Sequence, residues 1–273
     1  MAVSRRSFLC VTSLLPLASA APLAQAPSSP AAAVPTNTPA SVPASFPASF
    51  PAHDPEVARE MVSVSHGNVA RVRELLAGRP ALANASWDWG YGDWESALGA
   101  ASHVGNQEIA RLLLAAGARP SIFSAAMFGH LDTVKAFVLA SPGIQKTRGP
   151  HGLTLLSHAR AGGAGAVDVV KYLESIGDDL KYTNEPLAEP DRAAIIGTYV
   201  FGPGTTDRLT VTVGDRGPSI QREGGTPRNL FHLGGRVFHP PGGDAVRIRF
   251  ASGERAATVT VEDGPVIVKA LRA

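Results

Sequence analysis

The stretch that decides the fold is Gly105-Asn106-Gln107-Glu108-Ile109-Ala110-Arg111-Leu112-Leu113-Leu114-Ala115-Ala116-Gly117-Ala118. Ile109, Leu112 and Leu113 form one apolar stripe on a predicted helix of fewer than three turns, which Gly117 ends. So short a helix is marginal alone, and it must bury its stripe against a neighbour. Weaker copies of the stretch begin at Gly67, Gly129 and Gly165. The sequence therefore predicts a stack of self-similar helical units.

The copies share a second feature, an aliphatic residue seven positions before a glycine, at Leu98, Ile122 and Leu156. With the Gly-Ala that ends the second helix, this pattern resembles the ankyrin-repeat family. The histidine of the family motif is replaced by Gly99, Phe123 and Ser157. The resemblance implies an α-helical ankyrin-repeat solenoid over residues 53–180 with four to five repeats, of which the third is too short to carry its finger.

A different pattern follows a predicted linker at residues 181–192. Eight short runs alternate apolar and polar residues, and Gly, Pro or Asp separates them. The alternation predicts a small antiparallel β barrel or curled sheet over residues 193–273. Its order, opening with Gly197-Thr198-Tyr199, resembles the lipocalin-like module that ends serine β-lactamase-like hydrolases, and that resemblance implies no catalytic residues. The predicted fold class is multidomain α + β.

The N-terminus has the pattern of an export signal. Arg5 and Arg6 precede an uncharged apolar run that ends at Ala18-Ser19-Ala20. Residues 1–20 resemble a bacterial twin-arginine signal peptide, with an ordinary secretory signal or an uncleaved anchor as the alternative. Residues 21–52, rich in Pro, Ala and Ser, are predicted to be a disordered linker. We therefore expect a periplasmic or extracytoplasmic protein that meets a membrane only through an uncleaved signal.

Composition excludes several function classes. The single cysteine, Cys10, lies inside the predicted signal, so the mature chain offers no thiol chemistry. Loss of Arg5 and Arg6 leaves equal numbers of basic and acidic residues, which argues against nucleic-acid binding. No hydrolase, metalloprotease or phosphate-loop motif occurs, and the eight histidines have no ligand spacing. We expect no enzyme, cofactor or metal site, and interpret His66 and His130 as turn residues.

All three tryptophans lie in one short segment, the predicted finger before the second repeat. Its rigid rings beside carboxylates are typical of a recognition surface. The alternative is that the rings pack against neighbouring elements. The residues assigned to partner binding in this finger are Trp87, Asp88, Trp89, Tyr91, Asp93 and Trp94.

The missing third finger predicts a notch beside that segment. Phe123 is expected near its floor, and Lys146, Arg148 and His151 on the opposite side. The alternative is that the linker or the β domain fills the notch. The predicted function is an exported, non-enzymatic binding scaffold that uses its finger and concave face to hold a periplasmic or envelope protein. A cell-wall glycan or small-molecule binder is the alternative, and an enzyme with a site between the two domains is a third.

Overall fold

The computed structural model describes residues 53–177 and 182–273. The predicted export signal with Arg5 and Arg6, and the predicted linker at 21–52, lie outside the described residues. The helices are α1 Pro55–Val64, α2 Val69–Gly78, α3 Ala97–His103, α4 Gln107–Ala115, α5 Ile122–Met127, α6 Leu131–Ala140, α7 Leu155–Ala161, α8 Val167–Ile176 and α9 Glu189–Ile195. Short 3₁₀ turns lie at Pro80–Asn84, Ile144–Lys146, Pro150–Gly152 and Gly163–Ala166.

Most of these helices begin at a side chain that caps them. An oxygen of the capping residue accepts a hydrogen bond from a backbone N–H of the first turn, which otherwise has no partner. The capping residues are Asp54, Asn68, Ser96, Asn106, Ser121 and Thr154. The stretch quoted above therefore forms a helix, α4, which Asn106 caps and whose buried face contains Ile109, Ala110 and Leu113.

The prediction of an ankyrin-repeat solenoid is wrong. A solenoid has one continuous core and contacts only between adjacent repeats. Here the buried residues divide into two clusters, one built mainly from α1 to α4 and the other from α5 to α8. In addition, α3 packs against α7 as well as α5, so contacts skip a unit. The reason is that α5 has only six residues and no hairpin precedes it in residues 116–121, which lets α7 reach α3.

The predicted antiparallel β barrel is confirmed. Its strands are β3 Gly197–Val200, β4 Arg208–Gly214, β5 Gly217–Arg222, β6 Arg228–Asn229, β7 Phe231–His232, β8 Val237–His239, β9 Arg247–Phe250, β10 Thr258–Asp263 and β11 Val266–Arg272. They pair in the order β6-β5-β4-β3-β11-β10-β9-β8-β7, always antiparallel. Because only Leu230 separates the two edge strands β6 and β7, the sheet curls into a nearly closed barrel.

The interior of this sheet follows from the alternation of its strands. Tyr199 and Phe238 are its largest fully buried side chains, and Ile220, Ile248 and Val259 pack with them. The Tyr199 hydroxyl donates to the carbonyl of Ile195, which fixes α9 against the sheet. α9 begins inside the stretch that was expected to be a linker.

Helices and sheet belong to one compact unit. The remaining two strands, β1 Ser86–Asp88 and β2 Trp94–Ser96, form a separate hairpin between the first helices. This hairpin is the segment that the sequence predicts as a finger, and it contacts both the helices and the sheet. Among the described helices, none has the length and apolar character needed to cross a membrane.

Candidate metal centre

The aromatic residues of the hairpin mostly face the protein interior. Trp87 and Trp89 are half-buried and pack against the first helical cluster, and Tyr91 packs against the core of the sheet. Trp94 is the exception, since 64% of its surface is exposed. Asp88 serves the turn, where its carboxylate accepts a hydrogen bond from the Gly90 N–H at 2.8 Å. Of the predicted binding residues in the hairpin, Trp94 is therefore the one that presents most of its ring to solvent.

Two acidic residues of the hairpin, Asp93 and Glu95, also face inward. Side chains alternate along a strand, so Trp94 points out and Glu95 points in. Asp93 is 2% exposed and Glu95 is 1% exposed. Neither carboxylate is a surface charge of the kind expected for the wall of a partner-binding notch.

The residues assigned to the notch are only partly together. Trp94, Phe123 and Arg148 line a cleft of about 440 Å³, whose walls also include atoms of Asp93 and Glu95. Lys146 is exposed and does not line this cleft. The ring of His151 does not line this cleft either. It contacts the carboxylates of Asp93 and Glu95.

Three histidines surround the buried carboxylate of Glu95. Nε2 of His103 lies 3.0 Å from Oε1, Nε2 of His151 lies 3.4 Å from Oε1, and Nε2 of His66 lies 3.5 Å from Oε2. One ligand atom from each of the four residues lies within 4.8 Å of the others. The cluster joins the end of α1, the hairpin, the end of α3 and the turn at Pro150–Gly152.

The rings of His66 and His151 are each held by a contact at Nδ1, the nitrogen that faces away from Glu95. Nδ1 of His66 lies 3.0 Å from the Ser63 carbonyl, so this ring donates from Nδ1. Nδ1 of His151 lies 2.7 Å from Oδ2 of Asp93 and donates to it. The backbone N–H of His151 donates to the other oxygen of Asp93 at 2.8 Å. Both rings therefore direct Nε2 toward Glu95.

The backbone at His151 is strained. Its φ of +57° lies in the left-handed region, where a residue with a side chain is uncommon. Such strain persists only where the surroundings impose it, and it is frequent at functional sites. Here Asp93 imposes it by accepting both the N–H and the ring N–H of His151.

Glu95 has one oxygen satisfied and one unsatisfied. Oε2 accepts a hydrogen bond from Nε1 of Trp89 at 2.7 Å. Oε1 of Glu95 and Nε2 of His103 are buried and have no hydrogen-bond partner, because their 3.0 Å approach is not aligned for a hydrogen bond. Buried polar atoms without a partner are rare, and a bound ion or water is one way in which they are satisfied.

The pKa values of the cluster favour an ionised Glu95 and a protonated His151. Burial alone would raise the pKa of Glu95, but contacts with His103 and His151 and the charges of His151 and His66 lower it to about 2. Burial alone would lower the pKa of His151, but Asp93 and Glu95 raise it to about 9. Asp93 also has a lowered pKa, because its contacts with His151 and the charge of Arg228 outweigh its burial.

A fourth histidine, His158, lies behind the cluster. Its ring centre is 6.4 Å from that of His103, and its Nδ1 donates to the Thr154 carbonyl at 2.9 Å. Burial lowers its pKa to about 4, so the ring is neutral. Its Nε2 is buried and has no hydrogen-bond partner.

The cluster was not predicted from the sequence, because its residues lie far apart along the chain. A weak signal was present, since a Ser-His pair occurs three times: Ser65-His66, Ser102-His103 and Ser157-His158. The pairs come at or just after the ends of α1 and α3 and within α7. His151 is not part of such a pair. It lies in the turn at Pro150–Gly152 and not at the end of a helix.

Comparison with known proteins adds no relative. Neither the protein-family models nor the curated proteins with which the sequence was compared match it.

Proposed function

We propose that this protein binds a divalent transition-metal ion of the zinc class through Nε2 of His66, His103 and His151 and one carboxylate oxygen of Glu95. The observation that carries the proposal is the pair of buried, unpartnered atoms, Oε1 of Glu95 and Nε2 of His103, which face each other at 3.0 Å. An ion bound to both atoms would give each of them a partner.

The spacing of the ligand atoms supports zinc geometry. Tetrahedral bonds of about 2.0–2.1 Å place neighbouring ligand atoms roughly 3.3–3.4 Å apart. Oε1 of Glu95 lies 3.0 Å from Nε2 of His103 and 3.4 Å from Nε2 of His151, which is close to that value. Nε2 of His66 approaches the other oxygen, and the four ligand atoms together lie within 4.8 Å of one another. Small rotations of the half-exposed His66 and His151 rings would close the remaining distances.

The ligand types determine which ion fits. Imidazole nitrogens suit zinc, copper, nickel and cobalt, whereas magnesium and calcium prefer oxygen ligands. The contact of His151 with Asp93 is the carboxylate–histidine arrangement that typically supports a zinc ligand. Because Trp89 occupies Oε2 of Glu95, the carboxylate would bind the ion through Oε1 alone.

Four protein ligands are typical of an ion that stabilises structure. Here the ion would tie α1, α3 and the turn at Pro150–Gly152 to the hairpin. These elements are separate in sequence, and a chain whose only cysteine is Cys10 cannot join them by disulfides. Partner binding through the exposed face of Trp94 stays a prediction beside this proposal.

The test is metal stoichiometry on the full chain. The protein is stripped with a chelator, dialysed and titrated with Zn²⁺ against a chromophoric chelator, and we expect one tightly held ion per chain. His103→Gln should weaken binding by more than about 100-fold, because a ligand is lost rather than a supporting contact. The matched control is His130→Gln, at an exposed histidine outside the cluster. Equal zinc affinity in wild type and His103→Gln would refute the proposal.

A further inference from the structure

Asp93 is the residue at which the hairpin meets the sheet. Its Oδ2 lies 2.7 Å from Nδ1 of His151 and also 2.7 Å from Nη1 of Arg228, the first residue of β6. The same Nη1 lies 3.3 Å from Nδ1 of His151, so Arg228 also touches the ring directly. Asp93 is 2% exposed, and the Arg228 side chain is 10% exposed. One buried carboxylate therefore joins a candidate metal ligand to the edge of the sheet.

A second part of the sheet, the loop between β8 and β9, also contacts Asp93. Gly242, in the loop between β8 and β9, has a φ of +81° and lies directly against the Asp93 side chain. A Cβ atom at position 242 would overlap Oδ1 of Asp93, so only glycine fits there. The neighbouring Gly243 packs equally closely against the backbone oxygen of Tyr91. The carboxylate consequently has little room to change its position while the sheet is docked.

We propose that Arg228 is a positioning residue of the metal centre, which acts through Asp93 on His151, so that the sheet completes a site whose ligands all lie outside it. This inference rests on the proposed metal binding and goes beyond it. Arg228 holds the Asp93 carboxylate in place, Asp93 accepts the Nδ1–H of His151, and the ring is thereby fixed with Nε2 toward Glu95.

Arg228 has two opposite effects on metal affinity, and their balance decides whether its loss weakens or strengthens binding. Its positive charge repels a bound cation. At the distance of the ion, however, the charges of Arg228 and Asp93 largely cancel, since the two groups are 2.7 Å apart. Without Arg228 the almost fully buried Asp93 carboxylate loses the charged partner that holds Oδ2, and an uncompensated buried charge is costly, so its position changes. Loss of Arg228 should therefore disable Asp93, and metal affinity should fall.

The experiment compares zinc affinities of the full chain in a double-mutant cycle. Arg228→Met and Asp93→Asn should each weaken zinc binding by about tenfold, the effect of removing a contact that orients a ligand. The zinc affinity of the double variant should equal that of the single variant that binds zinc less tightly, because both changes break the same chain of contacts. Arg228→Lys should recover part of the affinity. Arg249→Met is the matched control, because Arg249 forms an exposed ion pair with Glu262 on the same sheet.

A purely structural role for Arg228 predicts a different result. In that case Arg228→Met would lower the melting temperature and leave zinc affinity unchanged, which would overturn the inference. Additive losses in the double variant would also overturn it. A wild-type protein that binds no zinc would instead remove the proposed function itself.

A measurement on the wild type keeps the inference testable if Arg228→Met does not fold. Zinc addition should shift the NMR resonances of the Arg228 guanidinium and of the His151 Nδ1 proton, and leave those of the Arg249 guanidinium unchanged. Unshifted Arg228 resonances in a zinc-loaded protein would contradict the inference.

Discussion

Trp89 and Glu95 are joined across the turn of the hairpin, where Nε1 of the indole donates a hydrogen bond of 2.7 Å to Oε2 of the carboxylate. The Glu95 side chain is fully buried, so this oxygen has no access to water. The contact assigns Trp89 an internal role, because its polar atom serves a neighbouring side chain and its ring packs on the helical core.

Trp89→Phe tests that contact. The substitution keeps an aromatic ring and removes the donor, so a buried carboxylate oxygen loses its partner. We expect a loss of about 1–3 kcal/mol in the free energy of unfolding, measured by urea denaturation of the metal-free protein. Trp94→Phe, at the exposed tryptophan of the same hairpin, should change it by less than about 0.5 kcal/mol. Equal losses in the two variants would mean that the hydrogen bond from Trp89 to Glu95 does not stabilise the fold.

Two substitutions of His151 distinguish the contribution of its side chain to stability from the cost of its backbone strain. Glycine adopts the φ of +57° without strain, whereas alanine does not. His151→Gly should therefore be more stable than His151→Ala by about 1 kcal/mol in chelator, although both lose a metal ligand. Thermal or urea unfolding measures the difference. An alanine variant as stable as the glycine variant would show that the left-handed conformation carries no strain.

The structure also separates what is predictable in this chain from what is not. The sheet was predictable because strands such as β4, with Leu209 and Val211 buried on one face, alternate strictly in sequence. Helices α4 and α8 were predictable from their apolar stripes. Their arrangement was not, since it depends on how closely α7 approaches α3, a distance that local periodicity does not encode.

The candidate site shows the same limit. The hairpin was recognised as unusual from its three tryptophans, but sequence does not tell which face of a strand meets a core. Trp94 and Glu95 are adjacent, and one is exposed while the other is buried. The candidate metal ligands His66, His103 and His151 come together only through tertiary packing, so no spacing rule could connect them.

The last strand of the barrel is anchored by Arg272. Its guanidinium donates to the carbonyls of Ala194, Ile196 and Ala256 and to the Tyr199 hydroxyl, at 2.6–2.7 Å. Arg272→Met keeps most of the aliphatic stem and removes these four hydrogen bonds, although the Ala194 carbonyl keeps the one from the Ala256 N–H. We expect a loss of about 2–4 kcal/mol in the free energy of unfolding.

Arg249→Met is the control for Arg272, because an exposed ion pair contributes less than about 1 kcal/mol. Urea denaturation measures both variants. If Arg272→Met were no less stable than Arg249→Met, the contacts of Arg272 would not stabilise the barrel.

The buried His158 predicts how stability depends on pH. Burial lowers its folded-state pKa to about 4, whereas the unfolded chain has the ordinary value of 6.5. Between these values the unfolded chain binds a proton that the folded chain excludes, so the free energy of unfolding rises with pH. The stabilisation is complete above about pH 6.5 and is lost as the pH falls through 4. Its upper limit is about 3 kcal/mol.

His158→Asn isolates this effect, because its amide can still donate to the Thr154 carbonyl but does not titrate. The free energy of unfolding is measured from pH 4 to pH 7 in chelator for both proteins. The wild-type curve should rise more steeply than that of the variant over this range, and the two should run parallel above it. Parallel curves between pH 4 and 6.5 would mean that His158 takes up a proton in the folded protein, and that its unpartnered Nε2 is accessible to water.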